Sequence, residues 1–248
     1  MGKNLIIQRR GRGTSTYRAP SHRYYGEIKY RPYDDNERNT VVYGTVQDLI
    51  ACPGHFAPLA KIKYETGEEV LISAPLNLRV GDVVASGASA PVQTGNVLPL
   101  KNIPEGTAIY NLECRPGDGG KLVRTAGVFA RVIGKVGEGE GILVTLPSKK
   151  QKTFQGECCA TVGVIAGDGR TEKPFLKAGN AKKLMRSRGR VWPITKGQSM
   201  IAASHPHGGG RHKHAGKPTT VSRNAPPGRK VGMIAARQTG RAKRAIGT

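Results

Sequence analysis

From Lys173 to Thr248 the chain has no Asp and no Glu, and Met1 to Gly26 has none either. That absence removes any local carboxylate that could orient a histidine downstream of Glu172, so a Ser-His-Asp arrangement there could draw its acid only from the distant Glu27 to Glu172 body. Aromatic residues are only 5% of the chain and apolar residues 37%. The apolar residues concentrate between Thr40 and Gly167, which is enough for two small cores. No apolar run approaches the length of a membrane span. Leu5-Ile6-Ile7 before Arg9-Arg10 is far short of a signal-peptide core, so the chain reads as soluble and intracellular, with no membrane partner. The four cysteines, Cys52, Cys114, Cys158 and Cys159, lack the spacing of a disulfide scaffold.

What is present is positive charge, unevenly placed. Of 40 Lys and Arg, 18 lie in the acid-free C-terminal stretch and six in the N-terminal one. The other 16 share the centre with all 17 acids, so the centre carries about −1 and the ends carry +24, for the net +23. Two cationic arms on a near-neutral body fit a polyanion that reaches around the protein. The arms hold too little apolar surface to offset their ordering entropy and are expected to be disordered without a partner.

The body reads as short strands punctuated by turns. Thr40 to Val46 is β-branched and aromatic; Leu59 to Tyr64 and Val70 to Ile72 flank a turn at Glu65 to Glu68, a hairpin pattern. Val80 to Val84 follows, then a glycine- and proline-bearing break from Gly87 to Gly95. A second set comprises Gly106 to Leu112, Val128 to Ile133, Ile142 to Leu146, Lys152 to Phe154 and Ala160 to Ile165. Such short, evenly spaced strands predict small barrels in tandem, with a boundary near Gly95. Only Asn180 to Arg188 reads as a helix, with Asn180 as its N-cap.

Motifs that imitate catalytic or metal sites fail on their details. Pro116-Gly117-Asp118-Gly119-Gly120-Lys121 ends in Gly-Lys, but Leu122 stands where a hydroxyl must hold magnesium and Arg115 replaces the first glycine. Gly137 to Gly141 carries two glutamates that would repel phosphate; both segments read as turns. Four of six histidines crowd into 205–214, but no cysteine lies near them and Arg211 and Lys213 would repel a dication, so no metal is expected.

The better reading of Ser204-His205-Pro206-His207-Gly208-Gly209-Gly210-Arg211-His212-Lys213 is a loop for RNA. Three glycines would let bare backbone amides approach a phosphate ribbon, while Arg, Lys and His supply charge and stacking. Arg9, Arg10, Arg12, Arg18 and Arg23 lie among glycines and tyrosines in the N-terminal arm, where Tyr17, Tyr24, Tyr25, Tyr30 and Tyr33 offer stacking beside Lys29 and Arg31. Lys182, Lys183, Arg186, Arg188, Arg190, Arg229, Lys230, Arg241, Lys243 and Arg244 continue the cationic set in the C-terminal arm. No helical phase gathers these arm residues onto one face, which suits threads in crevices between RNA helices.

The loop 204–210 resembles the His-Pro-His-Gly-Gly-Gly signature of the universal large-subunit ribosomal protein two family. Gly95 to Thr107 is similar to that family's interdomain stretch, and Val80-Gly81-Asp82, Pro116 to Gly120, Thr125-Ala126-Gly127 and Cys159 to Gly163 fall in its order. The resemblance covers most of the chain. It implies a mainly β fold: a basic N-terminal extension over 1–35, an OB-fold over 36–94, an SH3-like barrel over 95–170, and a basic RNA-threading extension over 171–248. It further implies a non-enzymatic structural protein of the cytoplasmic ribosome, bound to large-subunit rRNA near the peptidyl transferase centre. Subunit association, tRNA binding and peptide-bond formation would be supported, with other ribosomal proteins and the small subunit at an intersubunit bridge as partners. No cofactor is implied beyond magnesium ions held through rRNA. The bacterial pattern has an acidic residue before the first histidine and a glutamate after the glycines. Ser204 and Arg211 stand there instead, which points to the archaeal or eukaryotic branch and removes the carboxylate a histidine base would need. The alternative readings are a free RNA chaperone or translation factor, and an enzyme with His207 as general base.

Overall fold

A computed structural model of the chain describes residues 4–136 and 141–237. The chain divides into two compact units, Ser21–Phe175 and a second made of Met1–Pro20 with Leu176–Thr248. Among the described residues no helix is long and apolar enough to cross a membrane.

Ser21–Phe175 is built on ten strands. They are β1 (Val42–Ile50), β2 (Leu59–Tyr64), β3 (Glu69–Ser73), β4 (Val83–Ser86), β5 (Val97–Pro99), β6 (Ala108–Tyr110), β7 (Ala130–Val136), β8 (Gly141–Thr145), β9 (Gln151–Gln155) and β10 (Cys159–Val162). Their order in one sheet is β3-β2-β1-β4-β5-β10-β6-β7-β8-β9. The pairs are antiparallel apart from β4 with β5, which run parallel at Ser86 and Val97. The mainly β fold and the hairpin at 59–73 are as the sequence predicts, with register Leu59 to Ser73 through Lys63 to Glu69. Val42 and Val46 alternate inward against exposed Tyr43 and Thr45, the period-two pattern of a half-buried strand. Bulges between Val46 and Asp48, and between Val132 and Gly134, bend the two long strands. The strand β5 falls in a stretch that reads from sequence only as a connection.

Two clusters of side chains make the principal cores. One gathers Val42, Val46, Ala60, Ile62, Tyr64, Ile72, Ala74 and Val84. The other, larger one runs from Ala85 and Leu98 through Ile109, Leu112, Val132, Val144 and Phe154 to Val162. Tyr110 joins the two sequence halves, donating its hydroxyl to the Ser73 carbonyl at 3.0 Å, deep in a cluster with Ala57 and Ile165.

The segment before β1 departs from expectation. Residues up to 35 read as a thread for RNA, yet Ile28, Tyr30 and Arg31 are buried in the body. The Tyr30 hydroxyl donates to the Asn111 carbonyl at 2.7 Å and shares a bond with Thr161 Oγ1 at 2.8 Å. The Arg31 guanidinium reaches both Asp34 oxygens at 2.9 and 2.7 Å and Glu68 at 3.1 Å, with Glu37 at 3.7 Å. Asp34 also caps a short helix, α2 (Asp35–Asn39), by accepting from the Glu37 amide. Tyr30 and Arg31 are therefore structural and closed to RNA bases, because Asn111 and Thr161 hold the tyrosine hydroxyl and Asp34 and Glu68 hold the guanidinium. Limited proteolysis of RNA-free protein is thus expected to leave a core of about Ser21 to Phe175, not the Val41 to Gly167 that strands alone would define. Mass measurement of the stable fragment checks this, and a fragment beginning near Val41 would contradict it.

In the second unit, α1 (Ile6–Gly11) is a short helix and α3 (Ala178–Ser187) a longer one, both among cations. The helix α3 lies where the sequence places one, but its N-cap is Lys177 in extended conformation and not Asn180. It ends on a Schellman motif: the Gly189 amide donates to Arg186 and the Arg190 amide to Met185, with Gly189 at φ +64°. A β-carbon on Gly189 would lie 2.5 Å from the Ala19 amide nitrogen, so the glycine also admits the N-terminal segment alongside. The two termini, read as separate arms, share one unit.

Candidate nucleic-acid interface

The cations of α3 are set by helical geometry. Ala181 is buried, while Lys182, Lys183 and Arg186 are exposed. Lys182 and Arg186 are four residues apart and share a face, so a helical phase does organise this part of the arm, contrary to the reading from sequence. Arg188 and Arg190 follow through the Schellman turn, the first half-buried and the second exposed.

The histidine loop is folded on itself. Ser204 and His205 amides donate to the Ile201 carbonyl, Gly208 to His205, and Gly209 to Met200 at 3.0 Å. The His207 amide donates to His205 Nδ1 at 3.0 Å, and the two imidazoles lie 5.2 Å apart, tilted by 60°. The expectation of bare glycine amides is corrected here: those of Gly208 and Gly209 are spent on carbonyls within the loop. What the loop turns outward is the exposed chain from Gly209 through Lys213. His205 is held below its usual pKa, first because burial disfavours the imidazolium and second by His207 beside it. An unprotonated Nδ1 is what the His207 amide bond requires. As pH falls through about 6.5 the unfolded loop takes up a proton first, so the loop loses stability on acidification.

The glycines are needed for shape. A β-carbon on Gly208 would sit 2.5 Å from both the Met200 and Ile201 carbonyl oxygens. Gly209 has φ +91°, and its β-carbon would press on Ala202 at 3.2 Å. Gly208→Val should therefore cost the loop about 1–3 kcal/mol, and Gly209→Val should also be strained through its positive φ. His207→Gln keeps the backbone bond to His205 and should leave the loop folded. Thermal unfolding of the three variants checks this; a loss in His207→Gln as large as in Gly208→Val would contradict it.

Other predicted residues fall in several places. Arg9 lines a cavity of about 310 Å³ with Met200, Ile201 and Ser204, so it meets the segment that leads into the histidine loop. Arg10 stacks on Tyr17 at 5.8 Å. Arg12, Arg18, Arg211, Lys213 and Arg229 are exposed, and Lys230 is half-buried. Arg23 lies in a short helical turn, Ser21–Arg23, of the strand-built unit and is exposed. Arg241, Lys243 and Arg244 lie outside the described residues. His207 and Arg229 line one cavity together with Lys217 and Asn224, two residues that sequence reasoning missed because nothing links them to the histidines until the loop closes.

The failed phosphate-loop motif has a physical explanation. Buried Glu113 accepts from the Gly117 amide at 3.2 Å, Gly119 at 2.8 Å and Cys159 at 2.9 Å. The turn closes on an internal carboxylate in the place a phosphate would take. Burial raises the Glu113 pKa, and those three amides oppose the rise. Cys52, Cys114, Cys158 and Cys159 are free thiols. Burial pushes Cys158 up to about 11, which keeps it a poor nucleophile.

Residues 93–230 match the family model described as Ribosomal Proteins L2, C-terminal domain, which spans the second half of the sheet, α3 and the histidine loop. The chain belongs to the ribosomal protein L2 family. Residues 3–86 match the same family's RNA binding N-terminal domain. The chain is similar to large ribosomal subunit protein uL2 of Methanothermobacter thermautotrophicus, with 54% identity over 241 residues, 97% of this chain and 99% of that protein. The corresponding protein of Methanocaldococcus jannaschii is 52% identical over 241 residues, with 97% and 99% covered. That of Methanopyrus kandleri is 51% identical over 245 residues, with 98% and 100% covered. For the L2 family the strand order in Ser21–Phe175 is consistent with an OB-fold half followed by an SH3-like half.

Proposed function

We propose that this chain is a structural constituent of the large ribosomal subunit, bound to large-subunit rRNA near the peptidyl transferase centre. The observation that carries the reading is the composition of the unit formed by Met1–Pro20 and Leu176–Thr248, which holds 22 Lys and Arg and no carboxylate side chain. A unit with that charge has no internal counter-ion and gains its stability when phosphates supply one. The predicted arm and loop cations are its rRNA-binding residues, and the strand-built unit, read as domains over 36–94 and 95–170, is the rigid base. Other ribosomal proteins and the small subunit are its further partners, in the cytoplasm. It supports tRNA binding and peptide-bond formation by holding rRNA in place, with no catalytic residue and no cofactor beyond magnesium ions held by the RNA. Ser204 and Arg211 support a place in the archaeal or eukaryotic branch. Fractionation tests the proposal: the chain should stay with large subunits through a high-salt wash, whereas release into the wash would identify a translation factor.

A further inference from the structure

We propose that the cavity between the histidine loop and the segment Lys217 to Val231 is a pocket for one nucleotide turned out of an rRNA helix. This deepens the rRNA-binding reading and rests on it. The cavity measures about 380 Å³ and is lined by His207, Lys217, Asn224, Arg229, Pro206 and Val231, among others. That size lies in the range of about 300–1,000 Å³ typical of small-ligand pockets. A duplex cannot enter such a space, and a single nucleotide can.

The walls are built and are not a chance gap between threads. Two short strands, β11 (Thr220–Val221) and β12 (Met233–Ile234), pair in parallel and close the segment at its neck. The Met233 amide donates to Thr219 at 2.9 Å and the Ala235 amide to Val221 at 2.8 Å. At the far end, Arg229 and Lys230 amides both donate to the Pro226 carbonyl. A β-carbon on Gly232 would strike the Thr219 carbonyl and come within 3.3 Å of the His207 ring, so the imidazole is seated against this neck.

The lining selects the ligand by its chemistry. Lys217 and Arg229 supply two cations in a unit that has no carboxylate to neutralise them, which fits a phosphate. Pro206, Val231 and the His207 imidazole give flat or apolar surface, which fits a base face. The Asn224 amide offers both a donor and an acceptor for a base edge. A free phosphate would use the cations and leave the rest of the lining idle. The Arg9 cavity, of about 310 Å³, offers Asn4 and aliphatic Ile6, Met200 and Ile201 but only one cation and no ring to lie against a base.

The test uses large subunits assembled with the full chain as wild type, Ala225→Trp or Asn224→Leu, probed at nucleotide resolution by 2′-hydroxyl acylation and dimethyl sulfate. Ala225 lines the cavity, so tryptophan fills it, and Asn224→Leu removes the base-edge partner at similar volume. One nucleotide should be protected in the wild type and become roughly tenfold more reactive in both variants, given the usual contribution of stacking per base. The rest of the footprint should stay unchanged. An unchanged footprint in both variants would overturn the pocket and leave rRNA binding intact. A uniform loss of protection across the footprint, with no single nucleotide standing out, would also overturn it. Absence of any wild-type footprint would instead overturn the rRNA-binding reading itself.

Discussion

Raising monovalent salt from about 50 to about 200 mM should weaken rRNA binding by the full chain by roughly 10³- to 10⁵-fold, the range for six to ten neutralised phosphates. If the cationic unit engages even ten phosphates, the log–log slope should be about −7 to −9. The slope has a definite source in the sequence: 17 of the 40 Lys and Arg lie in Leu176–Thr248, with no acid among them. Deleting that stretch should flatten the slope far more than neutralising cations of the strand-built unit. There, many cations are already committed: Lys61 pairs with Glu69 at 2.8 Å, Lys101 with Glu157 at 2.5 Å, and Arg31 with its acids. Filter binding across a salt series measures it, and a full-length slope near −2 would show that the acid-free stretches do not carry the binding.

Replacing Arg31 by Met should destabilise RNA-free protein by about 3–5 kcal/mol, the usual cost of leaving a buried partner charge uncompensated. The guanidinium is held by Asp34 and Glu68, lies near buried Glu37 and stacks at 5.9 Å on the Tyr64 ring. Asp34 is held down to about 2, chiefly by its hydrogen bonds from Arg31. Glu37 is pushed up to about 7, because burial outweighs its Ser86 hydrogen bond and Arg31. The signs differ. The Asp34 contribution is present above about 3.8 and is lost as pH falls through about 2. The folded state protonates Glu37 before the unfolded one does, so its contribution grows as pH falls from about 7 to about 4.5. Urea unfolding should therefore show a stability gain between pH 8 and pH 5 that Glu37→Gln lacks, and Arg31→Met combined with Glu37→Gln should recover part of the loss. Equal pH dependence in wild type and Glu37→Gln would refute this account.

Much of the fold was legible because its signals are local. The hairpin at 59–73 is written in alternation and a Thr-Gly turn, and α3 in the short helical run Asn180 to Arg188. The long-range partners were not legible. Arg31 looks like any arm cation until Asp34, Glu37 and Glu68 fold around it, and Tyr30 looks like a stacking platform until Asn111 and Thr161, some eighty and 130 residues away, take its hydroxyl. The Asn180 cap failed because the helix begins earlier, at Ala178, where no cap signal exists. At the candidate interface the residue types were readable from charge and glycine content. Which amides the histidine loop keeps for itself was not, since Met200 and Ile201 become its acceptors only when the chain doubles back.

The place of β10 in the sheet bears on the order in which the chain is made. This strand pairs with β5 through Cys159 to Thr161 and with β6 through Thr161 and Val162. During synthesis β1 to β4 can zip as soon as they emerge, but β5 and β6 must wait with open edges for a strand some fifty to sixty residues later. Once Val162 arrives the sheet locks, and only then does the acid-free tract from Lys173 follow. The nascent polycation is thus released behind a finished β body, so the interval in which naked charge and unpaired strand edges coexist is kept short.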